Sequence, residues 1–389
     1  MRLAPALATA AACLTLGALA QGARPIGLGA TPPLLWRGST QSPEPDRNAK
    51  DPLYALCGDA DLSLLQVAAR NGGRQLRGEG HFASDELAYN LRAAGAPHVW
   101  PRAWSIEGKA LQEDDLKKRV GEWAKGMRVL GQRRCGVTRM RRADGTMVVS
   151  AVTVDALADM ERMPTLARVG EWIELRGKML VPATEAKVVL LGPRGLPRTV
   201  LASLADDAVR ATFSVDQPGP WLVQVLATVS TGPRPVLEAY VHAGTTPPLR
   251  FAESPAPGEG AGKDEKDDSA AIRAMVNAAR ASEGLKPLSG DKALDVLAAE
   301  HSAKMMAART VGHDVGDGDP STRLHAAGIQ YRSSGENVAG ASSLPRAHRA
   351  LWASPSHRRN VLESRFSRVG VGVARSDDGR VWVTELFLD

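Results

Sequence analysis

Apolar residues recur with two different periods along this chain, and the change of period divides it. From residue 164 to about 244, short runs alternate apolar and polar positions: "EWIELRG", "AKVVLLGP", "RTVLASL", "VRATFSVD", "WLVQVLATV" and "VLEAYVHAG". Turn-forming stretches such as "GPRGLPR", "DQPGP" and "TGPRP" separate them. This spacing predicts an antiparallel β-sandwich over 164–250, immunoglobulin-like in outline but without the Cys…Trp…Cys pattern of antibody domains. Within "PGPWLVQV", Trp221 or Leu222 faces inward. From 270 to 389 the period becomes helical. Ile272, Met275, Val276 and Ala279 fall on one helix face, and Gly284 ends that helix. A second helix follows in "DKALDVLAAEHSAKMMAART", with Asp291 or Ser289 as its N-cap. "STRLHAAG" reads as a short third helix, and "SLPRAHRALWAS" as a fourth with Pro345 in its first turn. The closing "VGVGVARSDDGRVWVTELFLD" reads as a β-hairpin turning at "DDG". Helices first and strands last predict an α+β domain.

Two stretches show no periodicity. Residues 21–50 are rich in Pro, Gly and Ser and read as a flexible lead. Residues 252–268, "AESPAPGEGAGKDEKDD", read as a linker, with Pro/Gly punctuation followed by a charge block that is hard to bury. Residues 1–20 read as a signal peptide. Arg2 precedes the apolar run "LAPALATAAACLTLG", and "ALA" stands before Gln21 as a small-x-small cleavage signal. That run is short for a membrane span, and no other stretch is apolar enough to be one. The expected location is therefore secreted, periplasmic or on the cell envelope, with no transmembrane segment in the mature chain.

Composition changes this picture in two places. The net charge of +6 comes from scattered arginines, and no Lys/Arg run resembles a nucleic-acid tail, so nucleic acid is not an expected partner. Of three cysteines, Cys13 lies in the signal segment. Cys57 and Cys135 remain, and in an exported chain such a pair predicts a disulfide.

The chain also resembles itself. "RRCGVTRMRRADGTMVVSAVTVD", ending at 155, aligns without a gap on "SRVGVGVARSDDGRVWVTELFLD", ending at 389. Gly136 meets Gly370, Asp144 and Gly145 meet Asp378 and Gly379, and Asp155 meets Asp389. Upstream, "GH" precedes "LRAAG" at 80–95, as "GH" precedes "LHAAG" at 312–328. Residues 51–160 are therefore expected to be a diverged copy of 270–389. In this copy "PRAWS" stands in place of "GENVA", nothing resembles "SPSHRRN", and His81 alone survives of the polar cluster.

That polar cluster comprises His313 in "VGHD", Glu336 in "SGENVAG" and His357 in "SPSHRRN". With "VNAARASEGLKPL", "GENVA", "WASPSHRRN" and "VGVGVA…VWV" in this order, residues 270–389 resemble the bacterial branch of the CAP superfamily (cysteine-rich secretory proteins, antigen 5 and pathogenesis-related 1 proteins; SCP-like domains). The resemblance implies an αβα sandwich with a cleft in which His313, Glu336 and His357 match three of four expected side chains. The second acid has no counterpart between Asn337 and Leu362, and His348 is a candidate to face the cleft in its place. Two imidazoles and a carboxylate suit Zn²⁺, with His313 and His357 as ligands, and Glu336 is a candidate general base. Against these stand structural roles: Glu336 orienting His357 or accepting backbone N–H groups, Arg358 and Asn360 tying a loop to the sheet beside Asn337, and Trp352 in the core. Trp352, Pro355 and Asn360 then mark a helix stop followed by a pinned loop. The expected function is a non-enzymatic extracellular binding module for protein, lipid or cell-wall glycan. A metal-assisted hydrolase and a purely structural surface protein are the alternatives.

Overall fold

A computed structural model describes residues 36–389. The expected signal peptide and residues 21–35 of the lead lie outside the described residues. Three sheet-based units follow one another, and each is built around its own buried clusters.

In the first unit the strands run in the order Asp59–Ala60, Gln132–Arg141, Met147–Ala156, Arg102–Gly108. The two-residue strand pairs in parallel and the others antiparallel. The helix Leu62–Leu76 starts at Asp61, whose carboxylate accepts the amides of Ser63 and Leu64. It lies on the two long strands with Leu64, Val67 and Ala68 buried. Cys57 and Cys135 form a disulfide with a Cα–Cα distance of 5.7 Å, tying the short helix Tyr54–Cys57 to the first long strand.

The middle unit has a five-stranded sheet in the order Arg198–Leu201, Ala183–Leu191, Gly219–Val229, Gly232–Ala243, Leu166–Ala167. A four-stranded sheet follows the order Ser203–Ala205, Ala208–Ser214, Trp172–Met179, Ala158–Met160. Buried side chains of both sheets, among them Ile173, Phe213, Val188, Val223 and Trp221, form one cluster. Alternation explains this: in Trp172–Met179 every second residue is buried. One pairing departs from the antiparallel expectation, because Leu166–Ala167 runs parallel to its neighbour.

In the C-terminal unit the order is Ser289–Gly290, Arg368–Arg375, Val381–Leu388, Ser334–Ala341. Asp291 caps the helix Lys292–Ala308 through the amides of Ala293 and Leu294. This helix sits so close to the sheet that a Cβ on Gly372 would lie 2.1 Å from the Ala298 carbonyl carbon, so only glycine fits there. The helices Asp268–Ser282, Leu344–Ala353 and Pro355–Leu362 contribute Ile272, Leu351, Trp352 and Val361 to the cluster that also holds Val371, Val383 and Phe387.

Three expectations require correction. "SPSHRRN" is not a pinned loop: Ser354 separates two helices, and Pro355 opens Pro355–Leu362, where its missing N–H costs nothing. The lead is not free over its described part. Trp36 packs against Tyr89 and His242, and Ser39–Thr40 pairs with Met163–Pro164. Nor is 252–268 a loose tether. Ala256 is buried, Glu253 and Glu259 pair with Arg349, and His348 bonds the Pro257 carbonyl at 2.9 Å. A Cβ on Gly258 would collide with the Met275 carbonyl, so small residues let this backbone dock where a side-chain pattern would show nothing.

Candidate functional site

The strand Ser334–Ala341 is the outer strand of the C-terminal sheet, and the candidate residues gather on its two faces. Successive side chains on a strand point to opposite faces. Glu336 points to the face shared with the segment 301–326, and Asn337 points to the face covered by Pro355–Leu362.

On the first face Glu336 is buried while His313 is exposed, its side chain 53% accessible. His313 Nδ1 lies 2.8 Å from Glu336 Oε1, and the Arg323 guanidinium pairs with Oε2. Arg323 also donates to the carbonyls of His313 and Gly318 and lies 3.6 Å from Asp317. Asp317 in turn meets His301 Nδ1 at 2.8 Å, and His301 Nε2 faces the Gly312 carbonyl at 2.9 Å. Burial alone would raise the Asp317 pKa; hydrogen bonds from His301 and the Val315 amide hold it below the usual carboxylate range. The loop carrying His313 is thus fixed from beneath by a buried chain of hydrogen bonds and ion pairs, and Glu336 orients His313 rather than His357.

On the second face Asn337 donates to the His357 carbonyl at 3.1 Å and to Glu385 Oε2 at 2.9 Å. Asn360 donates to the Glu336 carbonyl and to Asn337 Oδ1. These bonds pin the Pro355–Leu362 helix to the edge strand and set the place of His357. That imidazole is half-buried, and its pKa is pushed down to about 4, first by burial and then by the nearby His313. It is neutral at pH 7, and among the described residues its ring makes no hydrogen bond. Trp352 is buried under Arg358, whose guanidinium stacks 4.4 Å from the indole. Arg358 does not tie a loop to the sheet. It donates to the Trp352 carbonyl and to the Gly192 carbonyl of the middle unit, and Arg359 reaches Pro197 and Thr199 there.

His348 does not face this site; it is buried against Pro257. Sequence reasoning missed Arg323, Asp317, His301 and Glu385. Glu385 is a carboxylate inside a strand whose eight residues are all buried. Burial raises its pKa to about 7, only partly offset by Asn337, and Oε1 has no partner among the described residues. The folded state therefore keeps a proton that the unfolded chain releases near pH 4.5, so Glu385 costs stability increasingly as pH rises from 4.5 to 7. Glu385→Gln should raise the melting temperature above pH 7, by as much as roughly 3 kcal/mol in stability, with no gain below pH 4.5. Thermal melts of both proteins across this range check the sign.

As arranged, the residues do not suit Zn²⁺. Both oxygens of Glu336 are engaged, one by a guanidinium that opposes a second cation. Among the described residues, no three His, Cys, Asp or Glu side chains form a group that could hold a metal ion.

A sheet between helices, with an exposed histidine, a buried glutamate and a half-buried histidine around its edge strand, defines a class of domain. Residues 273–387 match the model of the CAP, or cysteine-rich secretory protein, family. The C-terminal unit is a CAP-superfamily domain. Over 116 residues the chain is 34% identical to the uncharacterized protein YkwD of Bacillus subtilis (strain 168), covering 29% of this chain and 44% of that protein. The chain thus spans under half the length of this relative. Among solved structures, an outer surface protein from Borrelia burgdorferi is 24% identical, with 32% of this chain and 95% of that one covered and a TM-score of 0.31. An extracellular protein containing an SCP domain from Bacillus anthracis str. Ames is 16% identical, with 60% and 86% covered and a TM-score of 0.29. Among the described residues no helix is long and apolar enough to cross a membrane.

Proposed function

We propose that this chain is an exported protein, secreted or held at the cell envelope, whose CAP domain binds an extracellular ligand without catalysis. The buried Cys57–Cys135 disulfide supports an oxidising compartment, as does the targeting pattern of residues 1–20. One observation carries the binding role: His313 stands exposed on a rigid buried support beside His357, a neutral imidazole with no bond of its own. Support without an internal partner is what a ligand-facing group needs. Glu336 serves as the positioning residue for His313, which argues against a general-base role. Protein, lipid and cell-wall glycan are the ligand classes for this site.

The reading of residues 51–160 as a degenerate copy of the CAP domain draws support from the parallel construction of the two sheets. In each, a two-residue parallel strand leads through an aspartate cap (Asp61, Asp291) into a helix. Gly136 and Gly370 lie against the helix backbones at Leu64 and Leu294. The strand registers set Ala103 where Glu336 stands, Trp104 where Asn337 stands and Ala151 where Glu385 stands. The copy thus fills the site with apolar bulk and acts as scaffold. The middle unit, an immunoglobulin-like sandwich in this reading, is the spacer that receives Arg358 and Arg359.

Co-sedimentation with purified peptidoglycan and with phospholipid vesicles tests the binding role. With a glycan or lipid ligand, wild type should pellet with one of the two, and His357→Ala should lose at least fivefold in retention with little change in melting temperature; retention of wild type by neither leaves protein as the ligand class. Equal retention of both proteins would remove His357 from the site. Calorimetry showing one Zn²⁺ bound by wild type and none by His357→Ala would favour the metal-assisted alternative instead.

A further inference from the structure

A cleft of about 310 Å³ lies where the first unit meets the middle one, far in sequence from the CAP domain. Its floor includes Val154 and Leu157, and its walls carry Arg102, Arg128, Arg133 and Arg234 with one carboxylate, Asp155. That carboxylate is already committed, because its two oxygens accept the amides of Leu130 and Gly131, each at 2.8 Å. Four arginines therefore line one cleft with a single carboxylate that the backbone has taken; the Arg133 guanidinium donates to the Leu56 and Ala124 carbonyls and that of Arg234 to Thr231 Oγ1, which leaves Arg102 and Arg128 for a ligand. Arg102 and Arg128 are exposed, and among the described residues neither side chain makes a hydrogen bond or an ion pair. Arg133 and Arg234 each hold a buried Nε without a partner.

Trp100 stands at the same cleft with φ +49°, a left-handed conformation that a bulky side chain rarely adopts. It is 54% exposed, and the Arg234 guanidinium covers one face of the indole at 4.6 Å. Residues held in sparsely populated backbone conformations cluster at active sites and ligand clamps. Like charges gathered in a cleft repel one another and raise the local concentration of anions. Guanidinium groups match carboxylate and phosphate oxygens in paired hydrogen bonds. The volume is that of a small-ligand site, at the lower end of the range of roughly 300–1,000 Å³.

We propose that this cleft binds a sugar-sized organic oxyanion, a sugar acid or sugar phosphate, with the charged group on Arg102 and Arg128 and the ring against the exposed indole of Trp100. This site does not depend on His313 or His357, so it stands or falls separately from the CAP-domain reading.

Calorimetry on the full chain at low salt tests it with four probes: glucuronate, glucose 6-phosphate, inorganic phosphate and glucose. Glucuronate or glucose 6-phosphate should bind, more weakly as salt is added, and glucose should not. Whichever of the two binds more tightly distinguishes a carboxylate source from a phosphate source. The double variant Arg102→Ala/Arg128→Ala should lose at least tenfold in affinity. Trp100→Gly, which relieves the backbone strain, should lose about fivefold for the charged sugar and leave inorganic phosphate unchanged. His357→Ala should bind as wild type does. Circular dichroism melts establish that each variant is folded. Absence of binding by both charged sugars, or affinity unchanged in the folded arginine variant, overturns the site. Inorganic phosphate binding as tightly as the sugars, with Trp100→Gly without effect, overturns the sugar assignment.

Discussion

Replacing both cysteines, Cys57→Ser with Cys135→Ser, is expected to destabilise the first unit by roughly 4–5 kcal/mol. The bridge closes a loop with a sequence separation of 78. In the chain-entropy model, opening a loop of that length restores about this much freedom to the unfolded state. Both sulfurs are buried, and their cluster includes Leu53, Leu116, Val137 and Val149. The substitution therefore also leaves two hydroxyls among apolar neighbours. Since a domain is typically stable by about 5–15 kcal/mol, such a loss takes a large share of the total. Calorimetric scans should show one transition moving strongly down while the CAP-domain transition stays in place. Wild type in reductant should behave like the double variant, and mass spectrometry without reductant should find Cys57 and Cys135 joined. A first transition unmoved by either treatment would mean that the bridge contributes little beyond local packing.

Contacts between neighbours in sequence were legible; contacts between distant polar groups were not. The helix Asp268–Ser282 announces itself because Ile272, Met275, Val276 and Ala279 repeat with the helical period, and all four are buried. Asp291 shows as a cap because its partners are two and three residues away. The helix Pro355–Leu362 escaped notice because only Val361 and Leu362 are apolar, and two adjacent residues show no period. The docking of 252–268 escaped for a related reason: Ala256 and Gly258 make room for backbone contact, which leaves no hydrophobic pattern. In the site, His313, Glu336 and His357 were visible through their motifs. Their supports were not, since Arg323 sits in what reads as a short surface helix and Glu385 in the closing hairpin. Nothing in one dimension says that Asn337 joins the His357 carbonyl to Glu385, because that bond exists only after the strand register is set.

Removing the Glu336 carboxylate should cost about 3 kcal/mol, although the residue lies at the edge of its sheet. Its side chain is 1% exposed and that of Arg323 is 8% exposed, so their pair is shielded from water. Breaking a buried pair from one side leaves the other charge uncompensated, which typically costs about 3–5 kcal/mol. Arg323 keeps Asp317 at 3.6 Å and two carbonyl acceptors, which places Glu336→Ala at the lower end. Arg323→Met should cost a comparable amount, because it strands Glu336 and removes the donor to the His313 carbonyl. The double variant Glu336→Ala/Arg323→Met should be destabilised by less than the sum, with a coupling of about 1–3 kcal/mol. Thermal unfolding of the four proteins measures that cycle. A second readout separates support from ligand contact. In Glu336→Ala, His313 loses its only side-chain hydrogen-bond partner among the described residues, so its ring resonances should report wider motion while those of His357 stay put. Additive single-variant losses, or a His313 ring as ordered in Glu336→Ala as in wild type, would show that the loop is held by its backbone bonds alone and that Glu336 is not its positioning residue.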